Sequence, residues 1–353
     1  MLNKILVPLD ESLRAERALP VAARIARASK GSIVLAEVIS PAVDYASSLA
    51  PVPLVSAEIV DAEQKEAEGY LKAQAASPML SGIETRTQVL YGFPAQEILA
   101  LAKEQSIDLI VLCSHGRTGF TRWVLGSVAQ KLTHESAVPV LVLRDGGPEL
   151  ASPQPETCGR LTRAFVSLDG SRLSEAVLQP ATELALALSA PAPAALHLMQ
   201  VVQVFPQSEA RGRLSELNQQ ALEQAKAYLA DVKARLQQQF PESFLAITTS
   251  VGLDNDIAAA LIRTAEAREE GTDAAEAKGC DLIAMSTHGR GGLERWMVGS
   301  VTERVLETTR LPMLVVRPSL TKREAEGRKL QRGDTAGPKQ KGKQSCLAIL
   351  TYI

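Results

Sequence analysis

Two stretches of this chain set a histidine, an arginine, several small residues and a Gly-Ser pair in the same order. The first is Leu112-Cys113-Ser114-His115-Gly116-Arg117-Thr118-Gly119, running on through Trp123 to Gly126-Ser127-Val128. The second is Met285-Ser286-Thr287-His288-Gly289-Arg290-Gly291-Gly292, running on through Trp296 to Gly299-Ser300-Val301. Nine residues separate the Gly after His from the Gly-Ser pair in both, and the offset is constant: 289 − 116 = 173 and 299 − 126 = 173. The chemistry this order suits is anion binding. Glycines let backbone N–H groups come close to a phosphate, and a helix N-terminus adds partial positive charge. Ser127 and Ser300, at the helix start, are able to cap it or to donate to a phosphate oxygen. Ordinary turn and cap glycines would look the same in one copy. Duplication at fixed spacing favours a selected backbone geometry, although an inherited turn needs no ligand.

Other residue types near these loops carry alternatives. Arg117 and Arg290 are placed to pair with phosphate oxygens, or to stand as exposed loop arginines. His115 and His288 read as structural or pocket-lining, because Cys113-x-His115 falls short of the ligands zinc needs. Trp123 and Trp296, the only tryptophans, read as packing anchors. Asp10 and Asp169, related by 169 − 10 = 159, each end an apolar run. Such an aspartate accepts from ribose hydroxyls, holds Mg²⁺ through oxygen, or caps the next helix. The chain has no G-x4-G-K-[S/T] loop, no G-x-G-x-x-G after the first strand and no G-x-S-x-G elbow, and nothing sets a nucleophile beside a base. Dedicated catalysis is not indicated.

The elements that must position these residues alternate. In the first copy, strands over 5–10, 33–39, 85–90, 107–112 and 138–143 alternate with helices over 14–28, 57–76, 95–104 and 128–135. The second repeats the order with strands near 164–169, 196–204, 246–251, 280–285 and 311–316. Alternating strands and helices predict a parallel sheet covered on both faces, with ligands beyond the carboxyl ends of strands at the switch point. Residues 146–159, with three prolines, read as a linker. An Ala- and Glu-rich insertion over 264–278 accounts for the offset growing from 159 to 173. It reads as solvated helix or loop. The closing runs 138–143 and 311–316 are apolar possible edges, which antiparallel pairing across a pseudo-twofold axis would cover.

Bulk properties narrow the class. A length of 353 residues suggests two domains, and 46% hydrophobic with 22% charged residues is ordinary for a globular chain. A net charge of −2 gives no global field for nucleic acid or membrane. Four scattered cysteines read as reduced thiols, no run is long enough to span a membrane, and the N-terminus enters a strand at once, leaving no room for a signal peptide. The expected location is cytoplasmic. Residues 319–353 are rich in Lys and Arg and read as a disordered basic tail, with a weak grip on acidic partners as the alternative.

The pattern G-x2-G-x9-G-[S/T] after a strand resembles the nucleotide loop of the universal stress protein family. By that pattern the chain is identified as a tandem member over roughly residues 1–145 and 160–318. The family's first Gly is replaced by Cys113 and Ser286, both small enough for a phosphate to approach. The resemblance implies two Rossmann- or flavodoxin-like α/β domains of the adenine nucleotide alpha hydrolase type, each a five-stranded parallel sheet with helices on both faces. It implies ATP and puts Asp10 and Asp169 in the nucleotide pocket, where holding Mg²⁺ is the alternative to a ribose contact. In copy one the implied pocket is Pro8, Leu9, Asp10 and Val38, then Leu112, Cys113, His115, Gly116 and Arg117, and finally Gly126, Ser127 and Val128. In copy two it is Asp169 and Val201, then Met285, Ser286, His288, Gly289 and Arg290, and finally Gly299, Ser300 and Val301. Adenine contact falls to the second-strand backbone at Val38 and Val201. Pro8 fits the family pattern where copy two has Ser167, and copy one has Glu11 where copy two has Gly170. Family members dimerise through the last strand, which implies a pseudo-dimer within this chain or a homo-oligomer. The implied function is nucleotide-dependent regulation in stress, with at most slow hydrolysis. A stress adaptor or chaperone-like interaction protein that binds no nucleotide is the alternative, and an ATP-consuming enzyme has only the loops in its favour.

Overall fold

Ile5, Val7 and Leu9 face one core and Leu6 the other, so the first strand is buried on both sides. An internal strand of a covered parallel sheet requires that pattern. The computed structural model describes residues 2–40, 57–114, 125–151, 161–204, 211–267, 279–288 and 298–318, and only the backbone of 57–59 and 211–215. The first half runs β1 (Lys4–Leu9), α1 (Leu13–Glu16), α2 (Ala18–Ser29), β2 (Ser32–Ile39), α3 (Ala57–Ala75), β3 (Glu84–Tyr91), α4 (Pro94–Glu104), β4 (Leu109–Cys113), α5 (Ser127–Glu135) and β5 (Val140–Leu143). The second repeats it as β6 (Arg163–Ser167), α6 (Arg172–Glu175), α7 (Leu178–Ser189), β7 (Ala194–Val202), α8 (Arg211–Gln239), β8 (Leu245–Leu253), α9 (Ile257–Glu266), β9 (Leu282–Ser286), α10 (Ser300–Thr308) and β10 (Met313–Val316).

Each half is a five-stranded parallel sheet, and the two join as one ten-stranded sheet ordered β3-β2-β1-β4-β5-β10-β9-β6-β7-β8. The chain reverses direction across the sheet between β1 and β4, and between β6 and β9, so each half has a switch point at the carboxyl ends of those strands. The expected pairing of the closing strands is present within the chain. β5 and β10 run antiparallel, with Leu314 opposite Leu141 and Val315 opposite Val140. Both begin two residues later than the apolar runs suggest. Pro139 and Pro312 precede them and have no N–H to give a ladder. One face of the sheet is covered by α2, α3, α7 and α8, the other by α4, α5, α9 and α10.

The helix expected over 14–28 is two helices, broken at Arg17. Pro20 lies four residues after Glu16. It has no N–H for the Glu16 carbonyl, and its ring crowds that carbonyl. Pro180 stands four residues after Ala176 and breaks α6 from α7 in the same way. The second turn then begins α2, whose Ala18, Leu19, Val21, Ala22 and Ile25 form the buried stripe that the spacing predicts.

On β7, the His197 ring stacks on Phe165 at 5.7 Å and makes 2.8 Å hydrogen bonds with the Thr248 and Ser250 hydroxyls. Burial, with Arg163 nearby, holds its pKa below the ordinary imidazole value. A depressed pKa means that its stabilising contribution is present above about pH 6.5, the unfolded value, and is lost as pH falls through the folded one. The melting temperature is expected to fall between pH 7 and pH 5, and His197→Gln should flatten that fall. Parallel pH–melting curves for the two proteins would contradict this.

Candidate functional site

Both aspartates sit where β1 and β6 give way to a helix. Asp10 Oδ1 accepts from the Ser12 N–H at 3.2 Å and its hydroxyl at 2.6 Å, and Ser12 Oγ accepts from the Ala15 N–H at 3.1 Å. In copy two Asp169 Oδ1 accepts from the Ser171 N–H at 2.9 Å, and Ser171 Oγ from the Ser174 N–H at 3.1 Å. The helix caps are therefore the serines, which corrects the reading of the aspartates as caps. Each aspartate instead folds the turn that carries its own carboxylate. Ser12 and Ser171 were legible as a pair, because 171 − 12 = 159 repeats the aspartate offset. Glu16 and Glu175 repeat it again; the Glu16 carboxylate accepts from the Tyr70 hydroxyl and the Gln74 amide, while Glu175 accepts from Arg235.

Between aspartate and serine the backbone turns left-handed in both copies, with φ of 62° at Glu11 and 83° at Gly170. An L side chain resists that region by about 1–2 kcal/mol, whereas glycine enters it freely but loses more entropy on folding. Glu11→Gly is expected to stabilise the fold by about 0.5–1 kcal/mol, and Gly170→Glu to destabilise it by about 1 kcal/mol. Urea unfolding of both variants checks the pair, and a Glu11→Gly protein weaker than its parent would contradict the strain.

The repeated loops leave and rejoin the sheet through matched bonds. The Ser114 N–H donates to the Leu143 carbonyl at 2.8 Å, and the Gly126 N–H closes the stem on the Ser114 carbonyl at 2.8 Å. In copy two the Thr287 N–H donates to Val316 at 2.9 Å, and the Gly299 N–H to Thr287 at 2.7 Å. A Cβ on Gly299 would lie 3.3 Å from the Thr287 carbonyl oxygen, so the stem has little room there. Gly126 and Gly299, and not the serines after them, are the N-caps of α5 and α10, and a glycine cap has no side chain to bond the helix start. Ser127 and Ser300 are the first helical residues. The opening N–H groups of both helices thus have no intrahelical acceptor and none from the side chain of the cap residue, which is the arrangement that accepts an anion.

Side chains around each stem converge on one face. Val38, Leu112 and Val128 belong to the core under α4 and α5, and Val201, Met285 and Val301 occupy the same places in copy two. Pro8 lies beside Ala36 on β2. Leu9 and Cys113 point into the opposite core, leaving only their backbones toward that face. Burial pushes the Cys113 thiol up to about 12. Ser286, at the equivalent place, is buried, and its carbonyl accepts from the Thr302 hydroxyl at 2.9 Å. His288 Nδ1 lies 2.8 Å from the Thr287 hydroxyl oxygen. His115, Gly116, Arg117, Gly289 and Arg290 lie outside the described residues, as do Trp123, Trp296, most of the linker and insertion, and the basic tail.

The two helix starts differ in charge. The first turn of α5 has no acidic residue, whereas α10 carries Glu303 there. Among the described residues no three His, Cys, Asp or Glu side chains gather as a metal cluster, and no helix is long and apolar enough to cross a membrane.

The family model described as "Universal stress protein family" matches residues 1–144 and 162–317. Universal stress protein YxiE of Bacillus subtilis is 34% identical over 148 residues, which is 41% of this chain and 100% of that protein. Universal stress protein Rv2623 of Mycobacterium tuberculosis is 28% identical over 320 residues, 90% of this chain and 97% of that one. The crystal structure of a universal stress protein from Archaeoglobus fulgidus matches the fold with a TM-score of 0.59 at 19% identity, over 90% of this chain and 100% of that one.

Proposed function

This chain belongs to the universal stress protein family, matched in both of its halves, and from that premise we propose that it binds ATP at the two repeated stems and regulates by doing so. The observation that carries the reading is the pair of glycine-capped helices opening on Gly126-Ser127 and Gly299-Ser300, each at a switch point whose first strand ends in an aspartate. Residues 1–145 and 160–318 are the two nucleotide units, with 146–159 linking them and 319–353 as an appended basic tail. The phosphates sit on the N–H groups of Ser127 and Val128, or of Ser300 and Val301, with Gly116, Arg117, Gly289 and Arg290 supplying the rest of the cradle. Backbone at Val38 and Val201 receives adenine, with the side chains of Leu112 and Met285 as apolar floor. Asp10 and Asp169 orient the ribose or hold Mg²⁺, an ion that takes one or two carboxylates and fills its remaining positions from phosphates and water. Hydrolysis is slow at most, and occupancy itself is the signal. Occupancy acts by favouring one conformation or one partner-binding state over another.

A nucleotide-free adaptor is the second reading, favoured by Cys113 and Ser286 standing where the family has glycine. Calorimetry with ATP and Mg²⁺, followed by tryptophan fluorescence in the Trp123→Phe and Trp296→Phe proteins, separates the two. Saturable binding that Gly126→Val or Gly299→Val removes supports the ATP reading and assigns the half. No binding heat and two silent probes leave the adaptor.

A further inference from the structure

β8 ends the sheet, with no strand beyond it among the described residues. The Phe244 carbonyl accepts the Ala194 N–H at 2.9 Å, and the Asp254 N–H donates to the Val202 carbonyl at 3.1 Å. Even-numbered residues along the strand therefore turn their peptide groups to β7. By alternation Leu245, Ile247, Thr249, Val251 and Leu253 turn theirs out to the edge. Edges are normally blunted by charge, proline or a bulge. β8 has no proline and no charged residue from Leu245 to Leu253, and it pairs with β7 in unbroken register. The opposite edge is different, because β3 carries Glu84 and Arg86 there with side chains 64% and 67% exposed. The sequence of β8 has a further property. Leu-Ala-Ile-Thr-Thr-Ser-Val-Gly-Leu is nearly palindromic in size and polarity about Thr249.

We propose that β8 is a self-association edge, at which two copies of this chain pair antiparallel about a twofold axis between their Thr249 residues. In that register Leu245 meets Leu253, Ala246 meets Gly252, Ile247 meets Val251, Thr248 meets Ser250 and Thr249 meets itself. Apolar faces apolar and hydroxyl faces hydroxyl, which are the cross-strand pairs that stabilise a sheet, and no like charges oppose each other. The outward residues all fall in hydrogen-bonded pairs, so the free N–H and C=O groups of both edges are used together. Leu245 and Ile247 belong to the core under α8, and pairing continues that apolar layer over Leu253, which is 42% exposed. His197 already holds the Thr248 and Ser250 hydroxyls at 2.8 Å, so the edge is ordered before association. This interface is separate from the closing strands, whose pairing is complete within the chain. A strand of unrelated sequence would match the edge by its backbone alone.

The test is sedimentation of the full chain from about 1 μM to 1 mM, the range of weak interfaces, with hydrogen exchange of the β8 amides at both ends of that range. Dimer is expected to grow in with concentration, and the Ile247, Thr249 and Val251 amides to exchange more slowly as it does. Thr249→Pro removes an outward N–H and leaves the ladder to β7 whole. The twofold axis doubles that loss, so the variant should weaken the dimer by about tenfold or more while its melting temperature at low concentration holds. Should Thr249→Pro not fold, Thr249→Lys at the same exposed position sets two ammonium groups against each other across the axis and is expected to weaken the dimer likewise. A chain that stays monomeric throughout, or a dimer that forms equally well in the folded variant, would overturn the proposal. So would β8 amides that slow only when an extended peptide of another sequence is added, since that assigns the edge to a foreign strand.

Discussion

Leu141→Ala is expected to lower the unfolding free energy by about 3 kcal/mol, and Leu314→Ala by a similar amount. Both side chains are fully buried, they face each other in register across the antiparallel join, and both belong to the core under α2 and α7. Truncation removes the transfer energy of the leucine and leaves a cavity, because α2 and α7 pack on each other and cannot collapse into the gap independently. Arg24 of α2 donates to the Leu188 and Ala190 carbonyls at the end of α7, a second tie between the halves. The double variant should therefore lose less than the sum of the two, by about 1 kcal/mol, since each deletion already empties part of the same space. Urea unfolding followed by circular dichroism gives all three values. Two separate transitions, with Leu141→Ala moving only one of them, would show that the join contributes nothing to cooperativity.

That join was legible in the chain because two apolar runs at equal places in a repeat cannot both remain bare edges. The parallel order was legible too, since strand and helix alternate and apolar residues fill both faces of each strand. Other features were hidden by the length scale at which the sequence was read. The break at Arg17 depends on one proline acting on a carbonyl four residues back, which an amphipathic stripe across the break conceals. The place of Asp10 at a strand end was legible. Its hold on Ser12 was not, because a two-residue turn leaves no periodic mark. Gly126 and Gly299 looked like approach points for a ligand, and they are also the caps of their helices. Arg144 could not be read at all. Only folding decides whether an arginine after a strand meets a carbonyl, as Arg317 does, or leaves two buried nitrogens without a hydrogen-bond partner, as Arg144 does.

Ser127→Asp is expected to move stability and binding in opposite directions. In the free protein a carboxylate at the first residue of α5 faces an N-terminus with no acidic residue in its first turn and a glycine as its cap. It should stabilise that helix by about 0.3–1 kcal/mol. With ATP the same carboxylate opposes the phosphates that the proposed site places on those N–H groups. Two like charges about 4 Å apart at a protein surface repel by about 4 kcal/mol, so a loss of at least about 100-fold in ATP affinity is expected, about 2.7 kcal/mol. Ser300→Asp should cost less, because Glu303 already stands in the first turn of α10. Salt sharpens the contrast, since screening should relieve part of the binding loss while leaving the protein folded. Melting curves and ATP calorimetry on the same preparations read both quantities. A Ser127→Asp protein that is more stable and still binds ATP as its parent does would place the nucleotide away from α5. One that is less stable would mean that the helix start is not the electropositive end its geometry describes.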